Sequence, residues 1–182
     1  MNYDTFWQRV FAAIIDHLVF LALALFCIWL EAQSNKFAFF QIIATGLAYW
    51  AYQIYCHGKY GKTIGKHLMD LRVVRSDGER IGWTQAVLRN AVNLALSTPL
   101  TLASLFTLYT SADSNYYSMI WWKRTQFIQK HNPDWVSWLE WTALAWGICE
   151  IIVTLSNKRR RAIHDFIAGT VVISTLMNTD EA

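Results

Sequence analysis

Charged residues are scarce in this sequence. Aspartate, glutamate, lysine and arginine together make up 16% of its 182 residues, whereas a soluble globular domain carries about 25%. Apolar residues account for 54%, and this excess excludes an ordinary soluble domain. The formal net charge of +3 is too small to indicate a nucleic-acid partner. The composition therefore predicts a protein whose solvent is the lipid bilayer.

Cysteine is rare as well. The three cysteines, Cys27, Cys56 and Cys149, have no metal-ligand spacing and cannot form an even disulfide framework. Each lies within or at the end of an apolar run, so we interpret them as buried thiols that pack like small hydrophobic side chains. No nucleophile–base pair, metal cluster or cofactor motif is visible. We therefore expect no enzyme activity, no cofactor and no metal site.

Four long apolar segments are the main feature of the sequence. Each is close to the length of about 20 residues that crosses a bilayer as a helix, and together they predict an all-α integral membrane protein with four transmembrane helices. The segments form one domain over residues 1–176, followed by a polar end at residues 177–182. A fifth span in the tail is the weaker interpretation, because the stretch from Asp165 to Asn178 is too short. The predicted spans cover residues 10–30, 37–56, 84–110 and 135–155, and the polar parts cover residues 57–82 and 158–176.

The connecting segments carry local signals. Helical spacing of apolar residues predicts a short surface helix at Thr63–Asp70, and Asp77-Gly78 between β-prone runs predicts a hairpin. β-branched residues in the tail suggest a segment that docks on the rest of the protein. Ala112–Pro133 is predicted to be an aromatic loop, and Pro99 predicts a kink in the third span.

Lysine and arginine placement predicts the orientation. These residues crowd the flanks of one side, from Arg9, through residues 57–82, to Lys158–Arg161, whereas the other side has only four. By the positive-inside rule both termini are cytoplasmic. Tryptophans gather at the outer boundary, where amphipathic rings prefer to lie, and they are Trp121, Trp122, Trp135, Trp138 and Trp141.

Three ionisable residues lie inside the predicted spans at similar depth. Asp16 follows Arg9 by seven residues, close to two helical turns, so that both face one side of the first span. Arg89 lies in the third span and Glu150 in the fourth. A structural ion pair between Asp16 and Arg89 and a titrating site for transport are both open interpretations, because intramembrane charges need a partner, water or a proton.

A row of polar residues extends this cluster along the third span. Arg89, Asn93, Ser97 and Thr101 follow one another at intervals of four residues, so they share a face that lipid cannot satisfy. The row continues roughly along the same face through Ser104, Thr107 and Ser111. The row is either a hydrogen-bonded seam between helices or a hydrophilic path. We favour the seam for its outer half and a polar site at Arg89 and Asn93. The predicted polar cluster, for transport or for structure, is therefore Asp16, Arg89, Asn93 and Glu150.

Three blocks of sequence, in this order, carry a resemblance to a known family. They are Phe6–Asp16 (FWQRVFAAIID), Gly61–Asn90 (beginning GKTIGK and ending LRN) and Arg161–Val172 (RAIHDFIAGTVV). Together the blocks resemble the RDD family of bacterial membrane proteins, which is named for one arginine and two aspartates. The resemblance places these on Arg9, Asp16 and Asp165, and implies that the tail packs back so that Asp165 meets Arg9 or Lys66. It also implies a multi-pass protein of the bacterial inner (cell) membrane.

Two functions remain in view. The first is a small transporter or cation/proton exchanger, which the resemblance also suggests, with a monovalent cation or a proton as its partner. Because four helices make a thin wall, we expect such a transporter to be a homo-oligomer. The alternative is a non-transporting membrane scaffold that uses its basic cytoplasmic segment and tail as a docking surface.

Overall fold

The computed structural model describes residues 5–33 and 37–175, so the predicted polar end at residues 177–182 lies outside the described residues. The chain forms two compact units. The first contains Met1–Val19, Trp50–Val92 and Ala145–Ala182, and the second contains Phe20–Tyr49 and Asn93–Leu144.

In chain order the elements are α1 (Phe6–Gln33), α2 (Ala38–Tyr60), α3 (Ile64–Leu68), β1 (Leu71–Arg75), α4 (Trp83–Ser111), α5 (Ser114–Ser118), α6 (Trp121–His131), α7 (Trp135–Ser156), α8 (Ile163–Ile167) and β2 (Thr170–Ser174).

The long helices agree with a mostly helical membrane protein. Among the described residues, three helical stretches are long and apolar enough to cross a bilayer, namely Phe6–Glu31, Trp83–Ser111 and Trp135–Ser156. The predicted second span lies within α2, which is not among these three. Helix α4 continues through Pro99 as one element.

The first unit contains a small sheet that the sequence analysis did not fully anticipate. The predicted turn is present, with Gly78 at φ 92°, but it leads only to a single antiparallel bridge between Val74 and Arg80. The main partner of β1 is instead the tail strand β2, which pairs antiparallel with it from Leu71↔Ser174 to Arg75↔Thr170. The tail strand, and not the segment after the turn, is the main partner because its β-branched residues complete a buried apolar core. That core contains Ala12, Leu71, Val73, Ile81 and Val172.

Helix α3 lies where the surface helix was predicted, and it begins at a capping residue. The Thr63 hydroxyl oxygen accepts a hydrogen bond from the Lys66 backbone N–H at 3.3 Å, which is the usual way in which threonine satisfies an exposed helix N-terminus. The backbone of Gly65 passes very close to α1. This contact fixes α3 against the first helix.

In the second unit, the predicted aromatic loop contains two helices, so that prediction was wrong. Asp113 caps α5 by accepting a hydrogen bond from the Tyr116 N–H at 2.9 Å. Helix α6 packs its inner face through Phe127 and Ile128, and the Phe127 ring lies 5.4 Å from that of Tyr116. The missed signal was apolar and basic residues at helical spacing between two polar turns.

The cysteines only partly follow expectation. Cys27 and Cys56 are buried, whereas Cys149 is exposed on the surface of α7. Many large apolar side chains of the long helices are exposed in the same way, as expected for helix faces that contact lipid.

The close approach of α3 to α1 leads to a prediction about Gly65→Ala. A Cβ atom at this position would lie 2.0 Å from the Ala12 carbonyl oxygen, so α3 would have to move. We expect a loss of about 1–3 kcal/mol in the free energy of unfolding, measured by tryptophan fluorescence in detergent. The matched control is Gly147→Ala, because a Cβ atom there meets nothing within 4 Å. Equal stability of the two variants would contradict the contact.

Candidate functional site

The first unit is organised around the buried carboxylate of Asp165, which is 0% exposed. Arg9 Nη1 donates to its Oδ2 at 2.9 Å, and Arg89 Nη1 donates to its Oδ1. The Thr170 hydroxyl lies 3.3 Å from the same Oδ1, and the Ala162 N–H donates to Oδ2 at 3.1 Å. One side chain thus joins α1, α4, the start of α8 and β2. The contact between Arg9 and Asp165 is one of the two that the resemblance implied, the other being a contact with Lys66.

Glu150 lies beside this centre and holds the start of α8. Its two oxygens accept from the N–H groups of Ile163 and His164 at 3.0 and 3.1 Å, and the His164 Nδ1 atom lies 3.0 Å from Oε2. The other ring nitrogen of His164, Nε2, lies 3.1 Å from Arg89 Nη2, so this ring stands between Glu150 and Arg89.

The charges around Asp165 keep it ionised. Burial alone would raise the pKa of Asp165, but the guanidinium groups of Arg89 and Arg9 outweigh this effect and hold the pKa well below its usual value. Asp165 is therefore a fixed negative charge. Two buried guanidinium nitrogens, Arg9 Nη2 and Arg89 Nε, have no partner within the described residues, and such groups are the usual sites of ordered water.

Asp16 forms a separate centre, which corrects the predicted ion pair with Arg89. Its carboxylate accepts from the hydroxyl groups of Tyr52 at 2.9 Å and Thr63 at 2.6 Å, and from the Gly65 N–H at 2.8 Å. These partners are all on α2 and around α3. Depth along a span does not determine which neighbour a side chain faces.

The remaining member of the predicted cluster, Asn93, belongs to the second unit. Within the first unit, Arg89 and Glu150 meet around His164, whereas Asp16 has its own partners. Arg89 also pairs with the tail, through Asp165 and Thr170. In the part of the chain that the structure describes, no group of three or more histidine, cysteine or acidic side chains is arranged to hold a metal ion.

Lys66 is a half-buried cation between these two centres. Burial lowers the pKa of Lys66 to about 8, and the positive charges of Arg89 and Arg9 act in the same direction against the opposing effect of Asp16. Its ammonium group makes no hydrogen bond or ion pair within residues 5–33 and 37–175. Lys66 is thus a group that can exchange a proton near neutral pH.

The second unit contains a polar cavity of about 310 Å³. One end holds an ion pair in which Arg124 Nη1 donates to Glu31 Oε1 at 2.8 Å, with both side chains largely buried. Thr101 and Ser104 of the polar row on α4 line it, and Glu140 lies at its edge as an exposed carboxylate. The other lining residues are Ile28, Gln41, Ile42, Thr45, Gly46, Leu100, Tyr116, Trp121, Thr125, Ile128, Gln129 and Asn132.

Sequence reasoning missed the charged end of this cavity. Glu31 lies just past the predicted first span, and Arg124 lies in the predicted aromatic loop. Their pairing over a separation of 93 residues carries no local signal. The position of Glu140 on the cavity was not predicted either.

A prediction follows for Asp165→Asn. Loss of the negative charge would leave the cations of Arg9 and Arg89 buried without a counter-charge, and breaking such a pair costs about 3–5 kcal/mol. We expect a correspondingly large drop in the free energy of unfolding, measured by denaturant titration in detergent. Asp77→Asn is the control, because Asp77 pairs with Arg75 at an exposed site, where an ion pair contributes about 0–1 kcal/mol. Similar losses in the two variants would contradict a central role for Asp165.

A second prediction concerns pH. Between the lowered pKa of about 8 and the usual value of 10.5, the unfolded chain keeps a proton on Lys66 that the folded chain has lost. The free energy of unfolding therefore rises with pH across this window. Lys66→Met should flatten the rise, measured as unfolding midpoints from pH 7 to 10.5, whereas Lys62→Met in the same segment should keep it. An unchanged rise in Lys66→Met would contradict the assignment.

The sequence model of the RDD family matches residues 3–169, which is nearly the whole chain. No curated protein and no solved structure shows significant similarity to it. The matched range includes Arg9, Asp16 and Asp165, to which the resemblance assigns the arginine and the two aspartates of the family name, and all three are anchors of the first unit. On the evidence of this match, the chain belongs to the RDD family.

Proposed function

We propose that this RDD-family protein is a small membrane transporter that exchanges a monovalent cation for protons. The observation that carries the proposal is the cavity of the second unit, because it brings two carboxylates, Glu31 and Glu140, to a polar space bounded by membrane-type helices. Acidic and hydroxyl groups at such positions mark ion or substrate sites in membrane proteins.

The polar row on α4 supports this proposal. Thr101 and Ser104 belong to the part of the row that the sequence analysis favoured as a seam, yet both line the cavity. Their hydroxyl groups donate to carbonyls of their own helix at 2.9 and 3.0 Å, which leaves oxygen lone pairs for the cavity. Thr101 also packs closely against Gly46 of α2, so this part of the row both lines the cavity and contacts a neighbouring helix.

The first unit supplies a group that could accept the exchanged proton. Asp165 is held ionised by two arginines and Asp16 is held by three hydrogen bonds, so both act as anchors. Lys66, in contrast, has a pKa of about 8 and an ammonium group with no partner in the described part of the chain. We propose Lys66 as the proton-exchanging group.

We also propose the membrane location, the topology and the oligomeric form in which the protein acts. The protein would be a multi-pass protein of a bacterial inner membrane, with α2 as its second span and both termini in the cytoplasm, as the distribution of lysine and arginine predicts. The working form would be a homo-oligomer, because four helices offer little wall for alternating access. Transport rather than catalysis is the activity proposed.

Proteoliposomes with an internal pH dye test the exchange. An imposed gradient of Na⁺, K⁺ or guanidinium should drive proton flux, and at a subsaturating cation concentration Glu140→Gln should lower that flux about tenfold, because a charge-assisted contact contributes about 1.5 kcal/mol or more. Glu79→Gln is the matched control, since Glu79 is an exposed acid on the first unit. No flux with any of the three cations, or equal flux in the two variants, would overturn the proposal.

The scaffold function remains the second candidate, and one observation favours it. The short helices α3 and α8 expose large apolar side chains, among them Leu68, Phe166 and Ile167, next to the basic segment of residues 57–82. Such a surface suits contact with a partner or with the headgroup region of anionic lipid. A folded, reconstituted protein without cation-driven flux would make the scaffold the better description.

A further inference from the structure

Four hydroxyl groups that line the second-unit cavity donate their protons to backbone carbonyls of the protein. Thr45 donates to the Gln41 carbonyl at 2.8 Å, and Thr125 donates to the Trp121 carbonyl at 3.2 Å. Thr101 and Ser104 donate to carbonyls of α4 in the same way. A hydroxyl has one proton and two acceptor lone pairs, so these four groups can offer a ligand only acceptors.

The guanidinium group of Arg124, which lines the cavity, also makes its hydrogen bonds within the protein. Each of the three nitrogens of Arg124 has a protein partner, with Nε on the Met119 carbonyl at 2.8 Å, Nη1 on Glu31 at 2.8 Å and Nη2 on the Tyr117 carbonyl at 2.6 Å. Three of the five N–H donors of Arg124 are thus used within the protein, and its charge is paired with that of Glu31.

The carboxylates, in contrast, keep free capacity. Glu31 has one oxygen on Arg124, while its other oxygen and both oxygens of Glu140 have no partner among the described residues. Two carboxylates face one committed guanidinium, so the cavity has a net negative charge and acceptors on several sides. The chemistry favours a cation that carries N–H donors.

The volume of the cavity favours an organic cation over a bare metal ion. At about 310 Å³ the cavity is about ten times the share of one water molecule in the liquid, about 30 Å³, and lies at the lower end of small-molecule pockets. Hard metal ions are held by several oxygens at about 2.0–2.6 Å, and a space this wide does not close around one bare ion. Ile28, Leu100 and Ile128 add apolar wall that suits a short hydrocarbon chain.

We infer that this cavity binds a small organic ammonium ion, with its N–H groups on Glu31, Glu140 and the hydroxyl oxygens, and its hydrocarbon part on the apolar wall. The inference deepens the proposed function, on which it rests, by naming the substrate class. The ammonium group matches the site because it has three donors and no acceptor, like the lysine side chain.

Calorimetry on the full chain in lipid nanodiscs at pH 7 tests this assignment with n-butylammonium as the probe. We expect saturable binding, absent with n-butanol, and not displaced by equal concentrations of Na⁺ or K⁺. Glu140→Gln should weaken the affinity about tenfold, since the lost contact is charge-assisted, whereas Glu79→Gln should leave it unchanged. Because Glu31→Gln also breaks the pair with Arg124 and could unfold the second unit, the exposed Glu140 is the decisive position.

The outcomes separate the inference from the exchange activity. No binding, equal binding of butanol, or displacement by Na⁺ or K⁺ would overturn the ammonium site. Proton flux driven by Na⁺ or K⁺ together with absent ammonium binding would leave the exchange activity in place and overturn only the inference. Ammonium binding that depends on Glu140, together with no flux from any cation, would support the site and overturn the exchange.

Discussion

The arrangement of the first unit depends on one buried carboxylate, that of Asp165. An isolated charge is very costly to bury, so a carboxylate that is 0% exposed must have its acceptor positions filled. Here two guanidinium groups, a hydroxyl and a backbone N–H fill them. Because these donors come from four different elements, none of the four can move without leaving a buried charge incompletely satisfied.

Asp16 is a second buried carboxylate of the first unit that holds neighbouring segments together through hydrogen bonds. Both aspartates accept from a backbone N–H at the start of a short helix, Asp16 from Gly65 and Asp165 from Ala162. Both also lie against α1, the first on the helix itself and the second through Arg9. The first turns of α1 therefore fasten two polar segments, the one around α3 and the tail around α8. In this structure the arginine and the two aspartates of the family motif are anchors for those segments.

The features that could be predicted from sequence are those governed by local pattern. Hydropathy and length located the long helices, the spacing of apolar residues located α3, and the resemblance gave Arg9 as one of two partners for Asp165. The failures concern choices between partners. The depth of Arg89 suggested Asp16, but the tail supplied Asp165 and Thr170. The strand pattern at Leu71–Arg75 suggested a hairpin, but the tail strand pairs with it along its whole length. The pairing of Glu31 with Arg124 likewise joins residues far apart in the chain, with no local signal.

The two units differ in how much of their polar chemistry is already satisfied. In the first unit nearly every charged group at the centre has a partner, and Lys66 is the exception with a lowered pKa. In the second unit Glu140 and one oxygen of Glu31 face an open cavity. A saturated network resists change, whereas unsatisfied acceptors attract a ligand. Because the motif residues lie in the saturated unit and the free carboxylates in the other, membership of the family identifies the frame of this protein. We propose that the residues around Glu31 and Glu140 select its ligand.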